Sequence, residues 1–285
     1  MGLTIKELLL LGEKTLKDAG VADHEISAGA LLGFVTDMDK KELFLNRDLD
    51  VSDALIYTYF SLISRRAVGE PLQYITGEQY FMGHRFAVNP SVLIPRPETE
   101  ILAEKAIDYL RSTCGAKTVL DLCTGSGALA VSIALACPDT EVTASDVSAE
   151  ALATAKQNAK ELGVSDRVGF VKSDLFDACD SKYDLIVTNP PYIRTGDLAG
   201  LAREIADHEP VSALDGGADG LGFYRRIAAD APARMNPGAR VMSEIGAGQA
   251  GDAAAIFTEA GFSGIEILRD YNGLDRVLIA AGGRT

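Results

Sequence analysis

The chain has 285 residues, enough for two domains, one of them large enough to enclose a full α/β core. Its 47% hydrophobic content excludes a disordered chain, and 27 Lys+Arg against 41 Asp+Glu give a net charge of −14, which disfavours broad contact with nucleic-acid phosphates. The four cysteines (Cys114, Cys123, Cys137, Cys179) lack paired zinc spacing and read as reduced thiols of a cytoplasmic protein, structural apart from Cys123, which is left open, and neither a signal peptide nor a membrane span is expected.

Residues 1–70 read as a small helical bundle. Thr4 with Glu7 forms a capping box ahead of Leu8, Leu9 and Leu10, and Gly20 ends the helix. Residues 23–32, 40–45 and 52–68 are further amphipathic candidates, the last closing on Arg65, Arg66 and Gly69. His24 and the charges of this bundle read as solvated face. From 71 to 92 the pattern changes: the aromatic and polar residues of 73–76, 79–81 and 85–88, around Met82, Gly83 and His84, suggest a hairpin linking two domains. Pro95-Arg96-Pro97-Glu98-Thr99-Glu100 then holds the chain extended before a helix at 99–112. It reads either as a stiff linker with an acid-rich first turn or as a border of an active cleft.

From residue 93 onward the chain reads as the second domain, and from Val119 apolar strands alternate with helical stretches, the pattern of a parallel sheet in an α/β domain. Strands are expected at 118–122, 141–145, 168–172, 183–188, 240–245, 265–270 and 276–281. The first runs directly into Cys123-Thr124-Gly125-Ser126-Gly127 and a small-residue helix at 128–136. Glycines there let backbone approach a ligand, and the helix start offers free N–H groups. Asp146 ends the second strand, about 20 residues on, where an acid hydrogen-bonds a ribose diol. Asp174 ends the third, either as a turn aspartate or as a contact to an adenine edge. The fourth ends in Asn189-Pro190-Pro191-Tyr192. Two prolines make a stiff turn with free carbonyl oxygens, Asn189 adds an amide carbonyl and Tyr192 an aromatic face. Such a loop suits a planar NH2-bearing group, so it reads as an acceptor site for nitrogen.

These motifs resemble a class I methyltransferase that transfers methyl to nitrogen. Within that group, Glu70-Pro71-Leu72-Gln73-Tyr74-Ile75-Thr76-Gly77, Ile94 to Glu100, Asn189 to Ile193, and Glu209-Pro210 with Ala213 to Gly217 resemble the HemK/PrmC family of peptide chain release factor glutamine methyltransferases. The resemblance implies a helical N-terminal domain for substrate recognition and a seven-stranded, mostly parallel Rossmann-like sheet whose last strand is antiparallel. It implies S-adenosylmethionine as donor, held by Cys123, Thr124, Gly125, Ser126, Gly127, Asp146, Leu175 and Asn189, with Asp174 a further candidate from its place at a strand end. The substrate would be the glutamine of a Gly-Gly-Gln motif, bound at Asn189, Pro190, Pro191 and Tyr192, with Asn189, Pro190 and Tyr192 catalytic. No metal, nucleic acid or membrane is expected as a partner, and the protein is expected to be a monomer. The family commonly has Gly at Cys123. A cysteine there is expected at negative φ, with its side chain where backbone should meet the donor.

An amide nitrogen is a poor nucleophile and a sulfonium methyl a reactive electrophile, so alignment is the main task. Acceptance of both N–H groups by Asn189 Oδ1 and the Pro190 carbonyl would fix the amide plane and favour the developing positive charge, aided by the Tyr192 face. The cationic product can lose its proton to water, so no general base is needed, and His208 reads as a loop residue. The alternative reading is an enzyme acting on an exocyclic amine of adenine or guanine.

Overall fold

The computed structural model describes residues 2–282 apart from Cys114 and Ala116; the reading of Cys114 as a structural thiol lies outside the described residues. In chain order the helices and strands are α1 (Ile5–Asp18), α2 (His24–Thr36), α3 (Lys40–Leu45), α4 (Asp53–Ala67), α5 (Leu72–Thr76), β1 (Glu78–Phe81), β2 (His84–Ala87), α6 (Thr99–Ser112), β3 (Lys117–Leu122), α7 (Ala128–Ala136), β4 (Thr140–Asp146), α8 (Ala149–Glu161), β5 (Val168–Lys172), β6 (Tyr183–Thr188), α9 (Arg203–Ala206), α10 (Gly222–Asp230), β7 (Met235–Glu244), α11 (Ala250–Glu259), β8 (Ser263–Arg269) and β9 (Asp275–Ala281). They form two compact units: 1–77 with 202–208, and 78–201 with 209–285.

The helical unit begins on the expected capping box: Thr4 Oγ1 accepts from Glu7 N at 3.3 Å, while Thr4 N donates to Glu7 Oε2 at 2.8 Å. A second box, Asp39 with Glu42, starts α3. Leu8, Leu16, Leu31, Leu32, Tyr59 and Ile63 are buried together, each stabilising the bundle by about 1.5–3 kcal/mol relative to exposure. One expectation fails here. Arg66 is not on a solvated face but 2% exposed, because Nη2 donates to Asp23 Oδ1 (2.7 Å) and Glu204 Oε1 (2.8 Å), Nε to Ser27 Oγ (3.0 Å) and Nη1 to Glu70 O (3.1 Å). A buried guanidinium needs such a full set of acceptors, and one of them comes from α9, far along the chain. Residues 73–76, read as part of a hairpin, instead lie in α5, closed by Gly77 at φ +77. Their aromatic and polar alternation is too short to separate the two periods, and Pro71 starts the turn. The hairpin itself, β1 with β2, turns at Met82 and Gly83 as expected.

The second unit carries one seven-stranded sheet in the order β5-β4-β3-β6-β7-β9-β8, with β9 antiparallel to both neighbours. The apolar runs of β3 and β6 are buried on both faces, as parallel strands covered by helices should be. Chain order reverses between β3 and β6, the switch point where open α/β sheets bind ligands. Register then places the site. Leu122 pairs with Ser145 and Thr188, and Thr188 with Ser243, so the next residues, Cys123, Asp146, Asn189 and Glu244, emerge side by side at the carboxyl edge. Among the described residues no helix is long and apolar enough to cross a membrane.

Candidate active site

The turn after β3 is shaped by backbone. Cys123 has φ +58, Gly125 +55 and Gly127 +80, so three of five residues lie in the left-handed region. Glycine enters that region freely; Cys123 departs from the negative φ expected of it, at a cost of about 1–2 kcal/mol. A Cβ on Gly127 would stand 3.0 Å from the Ala155 Cβ, so this glycine also permits close packing of α7 against α8. Asp121, a residue sequence reasoning did not select, braces the turn from beneath. Fully buried, its Oδ2 accepts from Thr124 Oγ1 (2.6 Å) and Ala130 N (3.1 Å), and burial pushes its carboxyl up to about 7. An acid inside an otherwise apolar strand run was the available signal.

Asp146 sits beside the turn, where its Oδ2 accepts from Gly125 N and its Oδ1 from Ser148 N, both at 2.9 Å. Burial raises its pKa, while these N–H groups oppose the shift. Each oxygen keeps a lone pair for a ligand. A cavity of about 570 Å³ opens over these groups. Cys123, Thr124, Gly125, Ser126, Asp146, Asp174, Leu175, Asn189 and Pro191 all line it, so the structure gathers most of the expected site in one place. Gly127, Pro190 and Tyr192 do not line it. The Pro95 and Thr99 side of the cavity decides for the cleft-border reading of that segment. Asp174 Oδ1 pairs with Arg226 Nη2 at 2.9 Å, another residue the sequence did not single out.

Asn189 is held from behind. Its Nδ2 donates to Thr99 Oγ1 (3.2 Å), Thr99 Oγ1 donates to Glu244 Oε2 (2.6 Å), and Glu244 Oε1 accepts from Tyr192 Oη (3.2 Å). Glu244 is 1% exposed; burial raises its pKa, opposed by the Thr99 bond, the Arg276 charge and Tyr192. Tyr192 lines a separate cavity with Arg194, Asp219 and Gln249. Its phenol is pushed well above the usual range by burial and the Glu244 charge. Nothing among the described residues donates to Asn189 Oδ1, which is left at the donor-lined cavity.

Residues 7–77 match the PrmC N-terminal domain and residues 99–209 the methyltransferase small domain. The release factor glutamine methyltransferase of Geobacter sulfurreducens is 41% identical over 282 residues, covering 99% of this chain and 96% of that one. The chain belongs to the release factor glutamine methyltransferase family. The family member of Clostridium acetobutylicum is 37% identical over 284 residues and covers 99% of both chains. A methyltransferase of Pyrococcus furiosus shares the fold, with a TM-score of 0.52 over 71% of this chain and 91% of that one at 17% identity.

The cavity fits a nucleoside-bearing methyl donor on its own chemistry. Asp146 offers free lone pairs to a diol. Val147, 54% exposed despite its apolar side chain, and Leu175 offer flat apolar wall, and α7 starts with N–H groups at Ala128 and Leu129.

Proposed function

We propose that this chain transfers a methyl group from S-adenosylmethionine to the side-chain amide nitrogen of the Gly-Gly-Gln glutamine in peptide chain release factors. The observation that carries the reading is Asn189. One N–H of its amide is engaged by Thr99 and its carbonyl oxygen takes no bond from the described residues, while Asn189 lines the same cavity as the turn after β3 and Asp146. A carbonyl in that position accepts an N–H; it cannot bind a second carbonyl or a thioether.

S-adenosylmethionine, when bound, supplies a methyl group on a positively charged sulfur. Asp146, Thr124 to Ser126, Val147 and Leu175 would hold it. Asn189 Oδ1 accepts one amide N–H of the glutamine and orients that amide; Pro190, which does not line the cavity, stiffens the turn that carries Asn189. Such acceptors act more strongly as positive charge grows on nitrogen, which favours the transition state over the bound substrate. The rigid Pro-Pro turn keeps that geometry at no reorganisation cost. Proton loss from the cationic product goes to water. Among the described residues lining the cavity there is no histidine or lysine, and His208 belongs to the 202–208 segment of the helical unit.

The helical unit has no chemistry of this kind and is assigned the recognition of the protein substrate, with the β1–β2 hairpin and the sheet unit forming the donor-dependent part. A monomer in the cytoplasm is the working state. The test incubates the purified protein with methyl-labelled S-adenosylmethionine and either a release factor, DNA or RNA, then maps the label by peptide mass analysis. Label on the glutamine amide supports the reading. Label on nucleic acid, with none on the release factor, overturns it in favour of an exocyclic amine substrate.

A further inference from the structure

The side-chain amide of Asn189 has two orientations that differ by a half-turn, and only one presents an acceptor to the cavity. What selects it is a question of hydrogens. Thr99 Oγ1 has one hydrogen and stands 2.6 Å from Glu244 Oε2 and 3.2 Å from Asn189. Glu244 accepts on both oxygens, from Thr99 Oγ1 and from Tyr192 Oη, so that hydrogen belongs to Glu244. Thr99 then has only lone pairs to offer Asn189, and Asn189 must answer with Nδ2. The half-turned amide would set Oδ1 against those lone pairs and aim two N–H groups at a substrate that itself donates.

We infer that Thr99 and Glu244 are positioning residues for methyl transfer, a directional relay that fixes Asn189 with its carbonyl toward the substrate amide. The fold supplies the relay from three separate stretches. Register sets Asn189 and Glu244 one residue beyond the paired Thr188 and Ser243, and Thr99 is the first residue of α6, buried at 5% exposure. Glu244 is steadied on its other oxygen by the Tyr192 hydroxyl at 3.2 Å, which gives the tyrosine of the acceptor loop a structural task. Thr99 borders the cavity and Glu244 does not line it; each is assigned its effect through Asn189. The inference rests on the reading of Asn189 as the amide acceptor.

The test is a double-mutant cycle on the full chain, with S-adenosylmethionine and a glutamine-bearing release-factor peptide. Thr99→Val keeps shape and removes the hydroxyl; Thr99→Ser keeps the hydroxyl. Thr99→Val is expected to lower kcat by about ten- to thirtyfold, the scale of one lost hydrogen bond to a polar group in a closed site, with donor Kd within about twofold. Thr99→Ser is expected to recover most of that loss. In an Asn189→Ala background the same Thr99→Val change is expected to cost less than about twofold more, because the residue it orients is gone. Equal losses in both backgrounds, or a kcat for Thr99→Val equal to that of the wild type, would overturn the relay. A measurement on the unaltered fold stands beside the cycle. The Asn189 side-chain NH2 resonance, assigned by its disappearance in Asn189→Ala, should exchange with water more slowly than those of exposed asparagines, and fast exchange would overturn the relay as well. A wild-type chain that leaves the glutamine unmethylated strikes the proposed function instead.

Discussion

The two loops that make the site stand next to each other at the carboxyl edge of β3 and β6, yet they are built on different principles. The turn at 123–127 is a matter of backbone: three left-handed residues, an acid beneath, and N–H groups of Thr124, Gly125 and Gly127 held by Ser145, Asp146 and Thr124. The loop at 189–192 is a matter of side chains: proline fixes its path, but what it offers depends on Thr99 and Glu244, 90 residues before Asn189 and on the neighbouring strand. Backbone conformation is written locally in the sequence, whereas side-chain orientation is written in whatever the fold brings near. Damage should follow the same division: changes in the first region should act on donor binding and stability, and changes in the second on kcat.

The largest effect expected in the first region depends on pH. Asp121 is held near 7 in the folded chain against an ordinary carboxylate value when unfolded, so the folded state binds the extra proton between about pH 4 and pH 7. Stability credited to this group is therefore present at low pH and lost as pH rises toward 7. Asp121→Asn abolishes that dependence, and its stability relative to wild type should improve by as much as about 4 kcal/mol between pH 4 and pH 8, the limit set by the shift. Chemical denaturation at the two pH values measures it. A difference independent of pH would mean that Asp121 stays ionised and that the turn is braced by charge.

In the second region, Asn189→Ala should lower kcat by about 100- to 1000-fold, or roughly 2.7–4 kcal/mol, the scale found when one preorganised hydrogen-bonding group is removed. Donor affinity by calorimetry should stay within about twofold of wild type. A matching loss of donor affinity would erase the distinction between the two loops.

Asp146→Ala comes next. Asp146 accepts from Gly125 N and Ser148 N, so the substitution strips the turn of a brace as well as the donor of a partner. Donor Kd should rise roughly ten- to hundredfold, from about 1.5–3 kcal/mol of charge-assisted hydrogen bonding. The melting temperature should fall by a few degrees. Lost stability with unchanged donor affinity would confine Asp146 to the brace.

The same division decides what could be read from the sequence. All seven strands were legible, because buried parallel strands are short apolar runs, and register carried Cys123, Asp146 and Asn189 to one edge as their places at strand ends implied. The turn at 123–127 was legible through its glycines. Thr99, Glu244 and Arg226 were not assigned roles, since their partners lie on other elements and no local pattern announces them. Even so, Asp121 and Glu244 each put an acid in an apolar run, and a charge in a buried strand needs a reason. Arg66 was misread for the same cause, with Glu204 reaching it from α9. Tyr192 was assigned to the substrate for its aromatic face and by resemblance; the bond of its hydroxyl to Glu244 was not foreseen, since that partner lies on another strand.

The smallest effect tests how far the backbone rule extends. Cys123 holds φ +58 without being glycine, and a Cβ in that region costs about 1–2 kcal/mol. Cys123→Gly removes this strain but also loses the packing of a half-buried thiol against the core and adds about 0.5–1 kcal/mol of unfolded-chain entropy. The terms nearly cancel, so unfolding free energy should move by less than about 1 kcal/mol and donor Kd by less than about threefold. Cys123→Val supplies the contrast, because a β-branched side chain is a poor occupant of positive φ, and it should destabilise clearly. If Cys123→Gly instead weakened the donor tenfold, the thiol itself would be a contact in the cavity it lines, and the turn would no longer be a purely backbone device.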